Sequence, residues 1–117
     1  MTLGDVKTIL DAQMLCGEDL LEDEVKAACG CDLMSDVLAF VKDQAVLLTG
    51  LMNQQVIRTA EMMDIFCVIF VRDKKPAQEV VEMAKAKDIA IMTTRHRMFT
   101  SCGLLFQAGL KGGVHIQ

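Results

Sequence analysis

The stretch AVLLTGLMNQQVIRTAEMMDIFCVIFV, residues 45–71, decides the fold class of this chain. Continuous apolar runs occupy both of its ends, and such runs are typical of strands that are covered on both faces, as in parallel sheets. Between the runs, Asn53 can cap a helix whose apolar residues recur at helical spacing. These residues are Val56, Ile57, Ala60 and Met63. The stretch therefore predicts a strand, a helix and a second, parallel strand.

The segments before this stretch also alternate between helix and strand. Thr2 begins a capping-box pattern that predicts a first helix, and brief strands are expected at 13–17 and 25–29. Asp32 can cap the next helix, which we predict to end near Lys42. The apolar residues of that helix form one stripe, made of Leu33, Met34, Val37, Leu38 and Val41.

The segments after this stretch continue the alternation. Pro76 suits the first position of another helix, and a short strand is expected at 89–92. Thr94 can cap a last helix, and Gly109 can end it. In these two helices we predict that Val80, Val81 and Ala84 point inward and that Phe99, Gly103 and Phe106 share a face.

Together these segments predict one three-layer α/β/α domain with a largely parallel sheet over residues 1–117. Hydrophobic residues make up 52% of the 117-residue chain, which is enough for a core of its own. Residues from about 111 to 117 are expected to form a loose tail.

Composition and charge narrow the classes of function. The net charge is −4 and the only aromatic residues are five Phe, which argues against nucleic-acid binding, because that requires a concentrated basic face or exposed stacking aromatics. The apolar runs are too short to span a bilayer, so we predict no membrane association. Five cysteines, an odd number, argue against a disulfide scaffold and favour a cytoplasmic protein with reduced thiols.

Polar residues follow three of the predicted strands, in TGLMN (49–53), RDKKP (72–76) and TTRHR (93–97). In open parallel sheets, ligands bind outside the carboxyl ends of the strands, so these residues are expected to share one site. The candidate ligand-binding residues are Thr49, Gly50, Asn53, Thr93, Thr94, Arg95 and His96, with Arg72, Lys74, Lys75 and Arg97 as further cations. A small anionic ligand such as a nucleotide would suit them.

Each of these motifs has a simpler alternative. Thr49–Gly50 can be a plain turn from strand to helix, because it lacks the glycine-rich run and the Lys-Ser/Thr of a P-loop. The TTRHR motif can be a capped helix start with solvated cations. The sequence also contains no convincing nucleophile–base pair, which favours a protein without catalytic activity.

The spacing of the cysteines bears on metal binding. Cys29-Gly-Cys31, with Cys16 nearby in sequence, raises the question of zinc or an iron–sulfur cluster. A single Cys-x-Cys without a second pair leaves a tetrahedral site incomplete, so we predict neither a metal nor another cofactor.

The order of segments from CDLMSDV to SCGLL, residues 31–105, resembles the DRTGG domain, and the shorter elements before it match the amino-terminal portion of that domain. Such domains are similar to the N-terminal domain of HPr kinase/phosphorylase, and they also occur beside CBS domains in pyrophosphatases. The resemblance implies an α/β fold, a non-catalytic regulatory or assembly role and self-association. Because short stand-alone members tend to accompany iron-hydrogenase components, it also hints at a hydrogenase-related pathway.

The chain departs from the signature that gives this family its name. An Asp-Arg pair is expected after the first glycine turn and a Thr-Gly-Gly after the next strand, and these places hold Leu51–Met52 and Val71–Arg72–Asp73. Replacement of a polar pair by Leu and Met favours packing against another subunit. We therefore predict a homodimer, with Leu51 and Met52 at its interface.

Overall fold

A five-stranded sheet forms the middle layer of the computed structural model, which describes residues 1–40 and 45–112. The strands are β1 (Gln13–Cys16), β2 (Ala27–Gly30), β3 (Ala45–Thr49), β4 (Cys67–Phe70) and β5 (Ala90–Thr93). The helices are α1 (Leu3–Leu10), α2 (Met34–Phe40), α3 (Gln54–Met62), α4 (Gln78–Ala86) and α5 (Met98–Gln107). A turn of 3-10 helix, Glu18–Leu20, lies in the acidic segment after β1.

The strands are arranged in the order β1-β5-β4-β3-β2. Four of them, β2 to β5, run parallel to one another, whereas β1 runs antiparallel to β5 at the edge. Thr49 pairs with Phe70, and Phe70 pairs with Thr93, so the carboxyl ends of β3, β4 and β5 lie side by side. The predicted α/β fold with a largely parallel sheet is therefore confirmed.

Apolar side chains cover both faces of the sheet. On one face, α2, α3 and α4 pack against residues such as Leu47 and Phe70. On the other face, α1 and α5 pack against residues such as Leu48 and Ile69. Because successive strand residues point to opposite faces, a central strand between two helical layers needs an apolar residue at nearly every position. This requirement explains the continuous apolar runs of the sequence, and β3 is buried along its whole length.

Three predicted helix boundaries are confirmed. The Thr2 hydroxyl accepts the Asp5 N–H at 3.2 Å and the Asp5 carboxylate accepts the Thr2 N–H at 2.9 Å, which completes the capping box of α1. At the start of α3, Asn53 Oδ1 accepts the Val56 N–H at 3.3 Å. After α5, Gly109 adopts a φ of +113°, the left-handed conformation of a glycine C-cap.

Two predicted N-caps are wrong, because long-range partners engage the side chains. The first helical residue of α2 is Met34, and the carboxylate of Asp32 accepts hydrogen bonds from the turn after β3 instead of capping this helix. The N-cap of α5 is Arg97 rather than Thr94, whose hydroxyl donates to the Leu10 carbonyl at 2.8 Å.

The boundaries and faces of α2 and α4 also differ from the predictions. Two leucines of the predicted α2 stripe, Leu33 and Leu38, are exposed. The predicted end of this helix near Lys42 lies outside the described residues. Pro76 lies two residues before α4, because Ala77 is the N-cap. The inward residues of α4 are buried as predicted, namely Val80, Val81 and Ala84.

The helix α5 presents an apolar face to solvent. Phe99, Gly103 and Phe106 share this face, as predicted, and all three are exposed. Ser101 and Leu105 are the residues of α5 that are fully buried. The Ser101 hydroxyl has no hydrogen-bond partner within the described part of the chain. None of the helices in residues 1–40 and 45–112 has the length and apolar content that a bilayer crossing requires.

Both ends of the described chain are held by residues within β2 or just before it. The Val25 N–H donates to the Met1 carbonyl at 2.8 Å, and the Ala28 N–H donates to the Lys111 carbonyl at 2.9 Å. The loose tail predicted from residue 111 is therefore wrong at Lys111, which is bonded to the edge of the sheet. The rest of that prediction, for residues 113–117, falls outside the described residues.

Candidate functional site

The carboxyl edge of the sheet is where the loops after β3, β4 and β5 meet. The Val71 N–H donates to the Thr49 carbonyl at 3.1 Å, and the Thr94 N–H donates to the Phe70 carbonyl at 3.0 Å. Hydrogen bonding between neighbouring strands thus continues just past the strand ends. This continuation fixes the positions of the loops that hold the predicted ligand-binding residues.

A carboxylate from the chain itself occupies the turn between β3 and α3. Asp32 Oδ1 accepts the Gly50 N–H at 2.7 Å and the Thr49 hydroxyl at 2.8 Å. Thr49 is fully buried, and its hydroxyl oxygen accepts the Leu51 N–H at 3.1 Å. The donors of this turn therefore bind the carboxylate of Asp32 in this structure, and the predicted contact with a small ligand stays a prediction.

The surroundings of Asp32 keep it ionised. The Gly50 N–H is the main cause of a lowered pKa, and the Thr49 hydroxyl and the charges of Lys74 and Arg72 lower the pKa further, against the opposing effect of desolvation. The ammonium of Lys74 donates to the Gly50 carbonyl at 3.0 Å. Both cations therefore lie close to the turn.

The carboxylate of Asp32 and the guanidinium of Arg72 both lie close to Gly50. A Cβ added at Gly50 would lie 3.6 Å from Arg72 Nη2 and 3.7 Å from Asp32 Oδ1. These are ordinary van der Waals distances, so the charged groups of Arg72 and Asp32 both lie next to Gly50 and an alanine there would fit without a clash.

The loop after β4 contains two consecutive residues in the left-handed conformation. Arg72 has a φ of 62° and Asp73 a φ of 58°. Their N–H groups donate to the carbonyls of His96 and Thr94, each at 2.8 Å. The resemblance to the DRTGG domain puts the two glycines of its signature at these positions, and glycine adopts positive φ without steric cost. In this chain, Arg72 and Asp73 adopt this strained backbone conformation although they have side chains. Their hydrogen bonds to the loop after β5 hold the backbone in that conformation.

The two threonines at the end of β5, Thr93 and Thr94, use their hydroxyls within the protein. The Thr93 hydroxyl donates to the Lys74 carbonyl at 2.7 Å, and the Thr94 hydroxyl donates to Leu10 and accepts the His96 N–H at 3.4 Å. Both threonines are buried. They tie the loop after β5 to the loop after β4 and to the end of α1.

The structure brings most of the sequence-predicted ligand-binding residues to one edge, with different degrees of access. Arg95 is exposed and His96 is half-buried, so both can contact solvent. Asn53 is exposed, and its side-chain oxygen caps α3. Thr49, Thr93 and Thr94 are buried behind the loops and contribute to a ligand contact only if these loops rearrange.

The predicted interface residues lie on the turn that precedes α3. Leu51 is half-buried and packs against the apolar cluster beneath α2, α3 and α4. Met52 is 36% exposed. The turn therefore offers one accessible apolar side chain.

Asp32 is the residue of this edge that the sequence analysis missed as part of the site. It lies two residues after the end of β2, and β2 is parallel to β3, so its place after a strand was a signal comparable to that of Thr49. Residues 25–29 have a weaker strand pattern, and a helix follows them. Both features favoured the interpretation of Asp32 as a helix cap instead.

Metal binding has little support in the part of the chain that the structure describes. Within residues 1–40 and 45–112, no group of three or more His, Cys, Asp or Glu side chains could hold a metal ion. Cys31 Sγ accepts the Leu33 N–H at 3.3 Å. Cys16 lies on β1, at the edge of the sheet opposite to β2, and three strands separate β1 from β2, so Cys16 cannot join Cys29 and Cys31.

The family model for the DRTGG domain matches residues 5–108. The chain also shares its fold with part of a solved structure, the CBS and DRTGG domains of the regulatory region of Clostridium perfringens pyrophosphatase complexed with activator, diadenosine tetraphosphate. The TM-score is 0.71 at 18% identity, and the match covers 92% of this chain and 46% of that one. This chain therefore spans about half the length of that structure. No curated protein matches at a significant level.

The family match includes every strand of the sheet and extends from within α1 to just past the end of α5. The chain belongs to the DRTGG domain family.

Proposed function

We propose that this chain is a non-catalytic regulatory or protein-interaction module of the cytoplasm, and that it self-associates. The observation that carries the proposal is the network around Asp32, in which a carboxylate of the chain engages the donors of Thr49 and Gly50. Networks whose polar groups are satisfied internally make a surface rigid. Such an edge suits the presentation of a fixed surface to a partner better than the activation of a substrate.

The state of the thiols also supports a role without catalysis. Desolvation raises the pKa of Cys29 to about 11, and the neighbouring Cys31 and Cys102 add to the shift. Burial likewise raises the pKa of Cys16, Cys67 and Cys102. Because the thiolate is the nucleophilic form, these four cysteines are poor nucleophiles at neutral pH.

The regulatory part of the proposal rests on family membership. In the Clostridium perfringens pyrophosphatase, a DRTGG domain belongs to a regulatory region together with CBS domains. We infer that the present chain acts in the same sense on an enzyme or regulatory protein of its own pathway. The hydrogenase-related pathway to which the resemblance pointed supplies the first partners to test.

Self-association is tested by sedimentation velocity over a range of protein concentrations. The exposed Met52 beside Leu51 motivates Met52→Glu as the first variant, because a buried carboxylate in an apolar contact would weaken the dimer. A wild-type chain that stays monomeric at the highest concentration contradicts self-association.

A second candidate function is the binding of a small anionic ligand, such as a nucleotide, at the carboxyl edge. Arg72 and Lys74 lie beside a turn whose donors already hold a carboxylate, so a phosphate could take the place of Asp32 there. The structural neighbour was solved with diadenosine tetraphosphate, which makes phosphate-bearing nucleotides the first ligands to test.

Calorimetric titration with diadenosine tetraphosphate, ATP and inorganic phosphate tests this second function. Loss of one charge-assisted contact in Arg72→Ala should weaken binding by about tenfold. Arg58→Ala, in which the altered arginine is exposed on α3, is the matched control and should bind as the wild type does. If the wild type, Arg72→Ala and Arg58→Ala bind these ligands with equal affinity, the carboxyl edge of the sheet is not the binding site.

The same samples separate a binding module from an enzyme. After prolonged incubation with the protein, chromatography should recover each nucleotide unchanged. Turnover that is lost in Arg72→Ala would overturn the non-catalytic proposal.

A further inference from the structure

Two cysteines lie on either side of Gly30, the last residue of β2. Cys29 is the third residue of this strand, and Cys31 is the first residue after it. Because alternate residues of a strand point to the same face, both thiols lie on the face that packs against α2, α3 and α4, where both are half-buried. Desolvation raises the pKa of Cys29, and Cys31 adds more to this shift than any other charged group does, as expected of neighbouring thiols.

The two sulfur atoms can bond only if the backbone bends at the end of β2. The Cys31 N–H donates to the Leu48 carbonyl at 3.0 Å, so sheet pairing extends to this residue. Residues two positions apart in a parallel strand are about 6.6 Å apart. The Cβ atoms of a disulfide are about 3.8 Å apart, so those of Cys29 and Cys31 must approach each other by roughly 3 Å.

Gly30 and Cys31 are the residues that can make this movement. The strand β2 lies at the edge of the sheet, with β3 on one side of it. Its beginning is also held on the other side, where the Ala28 N–H donates to the Lys111 carbonyl. Gly30 has no side chain to restrict its backbone, and Cys31 lies past the end of the strand. Because Cys29 lies within the strand, most of the movement falls on Cys31.

The movement of Cys31 affects its neighbour in sequence, Asp32. The carboxylate of Asp32 accepts the Gly50 N–H at 2.7 Å and the Thr49 hydroxyl at 2.8 Å. Hydrogen bonds of this kind extend to about 3.2 Å, so these bonds tolerate a displacement of about 0.5 Å. A shift of roughly 3 Å in the adjacent residue exceeds this tolerance several-fold. A bond between the two sulfur atoms is therefore expected to withdraw Asp32 from the turn.

We propose that Cys29 and Cys31 form a site of reversible oxidation by low-molecular-weight disulfides, and that the bond between them releases the Thr49–Gly50 turn from Asp32. In the reduced protein this carboxylate occupies the donors of the turn. In the oxidised protein the donors are available to another anion. The modification itself is independent of the functions proposed above, whereas its effect on anion binding rests on the second of them.

The reaction consists of two successive thiol–disulfide exchanges. The Cys31 thiolate attacks one sulfur of the small disulfide, whose sulfur–sulfur bond breaks, so that one small thiol leaves and a mixed disulfide forms on Cys31. The Cys29 thiolate then attacks the Cys31 sulfur, and the second small thiol leaves. The two cysteines lose two protons and two electrons, which convert the small disulfide into two thiols. In cytoplasmic proteins such disulfides are usually transient and serve in catalysis or redox sensing.

The position of Cys31 makes it the thiol that reacts first. Its Sγ lies 3.3 Å from both the backbone nitrogen and the carbonyl oxygen of Leu33, whose side chain is exposed, so a small disulfide can approach from solvent. Cys29 has a pKa of about 11, so few molecules carry its thiolate at neutral pH, and the second exchange is the slower one. The rate of this second exchange should rise about tenfold for each pH unit between about pH 7 and 9, in proportion to the thiolate.

Peptide mapping after oxidation identifies the bond. Reduced protein is incubated with an excess of glutathione disulfide, its remaining thiols are alkylated, and the chain is digested with trypsin. Cleavage after Lys26 and Lys42 leaves Cys29 and Cys31 in one peptide and Cys102 in another. The first peptide should escape alkylation and weigh two hydrogen atoms less than its reduced form. Recovery of this peptide with two alkylated thiols, or linked to the Cys102 peptide, would overturn the proposal.

Three variants test the assignment of the two thiols. Cys29→Ser should stop at the mixed disulfide and carry one glutathione on Cys31, and Cys31→Ser should form no internal bond. Cys102→Ser is the matched control and should be oxidised as the wild type is. Cys102 is also half-buried, and its Sγ lies 2.6 Å from the place of a Cβ on Gly30, but it belongs to α5 on the other face of the sheet. An internal bond in Cys31→Ser, or its loss in Cys102→Ser, would contradict the assignment.

The amide of Gly50 reports whether Asp32 leaves the turn. Its hydrogen exchange in the wild type should become about tenfold faster on oxidation, approach the rate in reduced Asp32→Ala, and return to the original rate with dithiothreitol. The Val56 amide, which donates to Asn53 at the start of α3, is the internal control and should exchange equally in both states. If the bond forms and Gly50 exchanges as before, the link between the thiols and the turn is wrong.

Titration with ATP separates this inference from the proposed anion binding. Oxidised protein should bind ATP about tenfold more tightly than reduced protein, because the ligand no longer competes with Asp32. If the bond forms and Gly50 is released but neither form binds ATP, the oxidation site stands and the second proposed function is wrong. If ATP binds at the carboxyl edge while both thiols stay reduced in glutathione disulfide, the oxidation site is wrong and the second proposed function stands.

Discussion

Replacement of Asp32 by alanine should destabilise the whole domain, although this residue is exposed at the surface. The substitution removes the acceptor for the Gly50 N–H and for the hydroxyl of the fully buried Thr49. Asp32→Asn is the matched variant, because it keeps a side-chain oxygen of similar shape and loses the charge. The two variants together separate the geometric part of the interaction from its electrostatic part.

The magnitude follows from the two hydrogen bonds. A hydrogen bond to a charged group contributes about 1.5–3 kcal/mol, and the lower value applies because solvent screens this carboxylate. Two such bonds give a loss of about 3 kcal/mol in the free energy of unfolding for Asp32→Ala. A typical domain is stable by about 5–15 kcal/mol, so this loss is large enough to measure. For Asp32→Asn we expect a loss of about 1 kcal/mol.

The pH dependence provides an independent check. The pKa of Asp32 is lowered in the folded protein, so its contribution is fully present above the pKa of the unfolded chain, about 3.9. The contribution is lost as the pH falls through the folded pKa. The difference in stability between the wild type and Asp32→Asn should therefore be constant from pH 5 to 7 and shrink below about pH 4.

Urea unfolding followed by circular dichroism measures these differences in stability. If Asp32→Ala lies within about 0.5 kcal/mol of the wild type, the network does not hold the carboxyl edge together, and the support that it gives to the proposed function is lost. A wild-type advantage over Asp32→Asn that persists unchanged below pH 4 would contradict the ionised state of Asp32.

Three further substitutions test individual features of the fold by thermal or urea unfolding. Asp73→Gly should stabilise the protein by about 0.5–1 kcal/mol, because glycine relieves the strain of the left-handed backbone and this gain exceeds the cost of a more flexible unfolded chain. Destabilisation would mean that the Asp73 side chain makes a contact that the fold requires. Ser101→Ala should be neutral or stabilise by up to about 1 kcal/mol, since it removes a buried hydroxyl that has no partner in the described residues, and a clear loss would reveal a partner. Gly30→Ala should destabilise by about 1–3 kcal/mol, because the new Cβ would lie 2.6 Å from Cys102 Sγ, and Cys102→Ala in the same chain should recover most of that loss.

Features that depend on neighbouring residues in the sequence could be predicted. The strands β3 and β4 follow from their continuous apolar runs, and the starts of α1 and α3 follow from the short-range bonds of Thr2 and Asn53. Parallel pairing then places the ends of the strands at one edge, so the location of the candidate site follows from the fold class.

Features that depend on long-range partners could not be predicted. Asp32 bonds to residues 17 and 18 positions away, and Thr94 to a carbonyl 84 positions away. Asp32 and Thr94 are both residue types that commonly cap helices. In the folded chain, however, a distant donor or acceptor engages each side chain. The orientation of α5 was ambiguous for a different reason. Apolar residues occur all around this helix, so periodicity could not determine which of them, Leu105 or Phe106, faces the core.

The hydrogen bonds of Met1 and Lys111 to the residues around Val25 and Ala28 have a consequence for protein engineering. Residues 1 and 111 lie at the same edge of the fold, and two positions so placed can be joined by a short linker, or connected to the two sides of a host loop, without disturbance of the sheet. A circular permutant opened at an exposed loop elsewhere, or an insertion into an unrelated scaffold, should therefore fold with its opposite edge unobstructed.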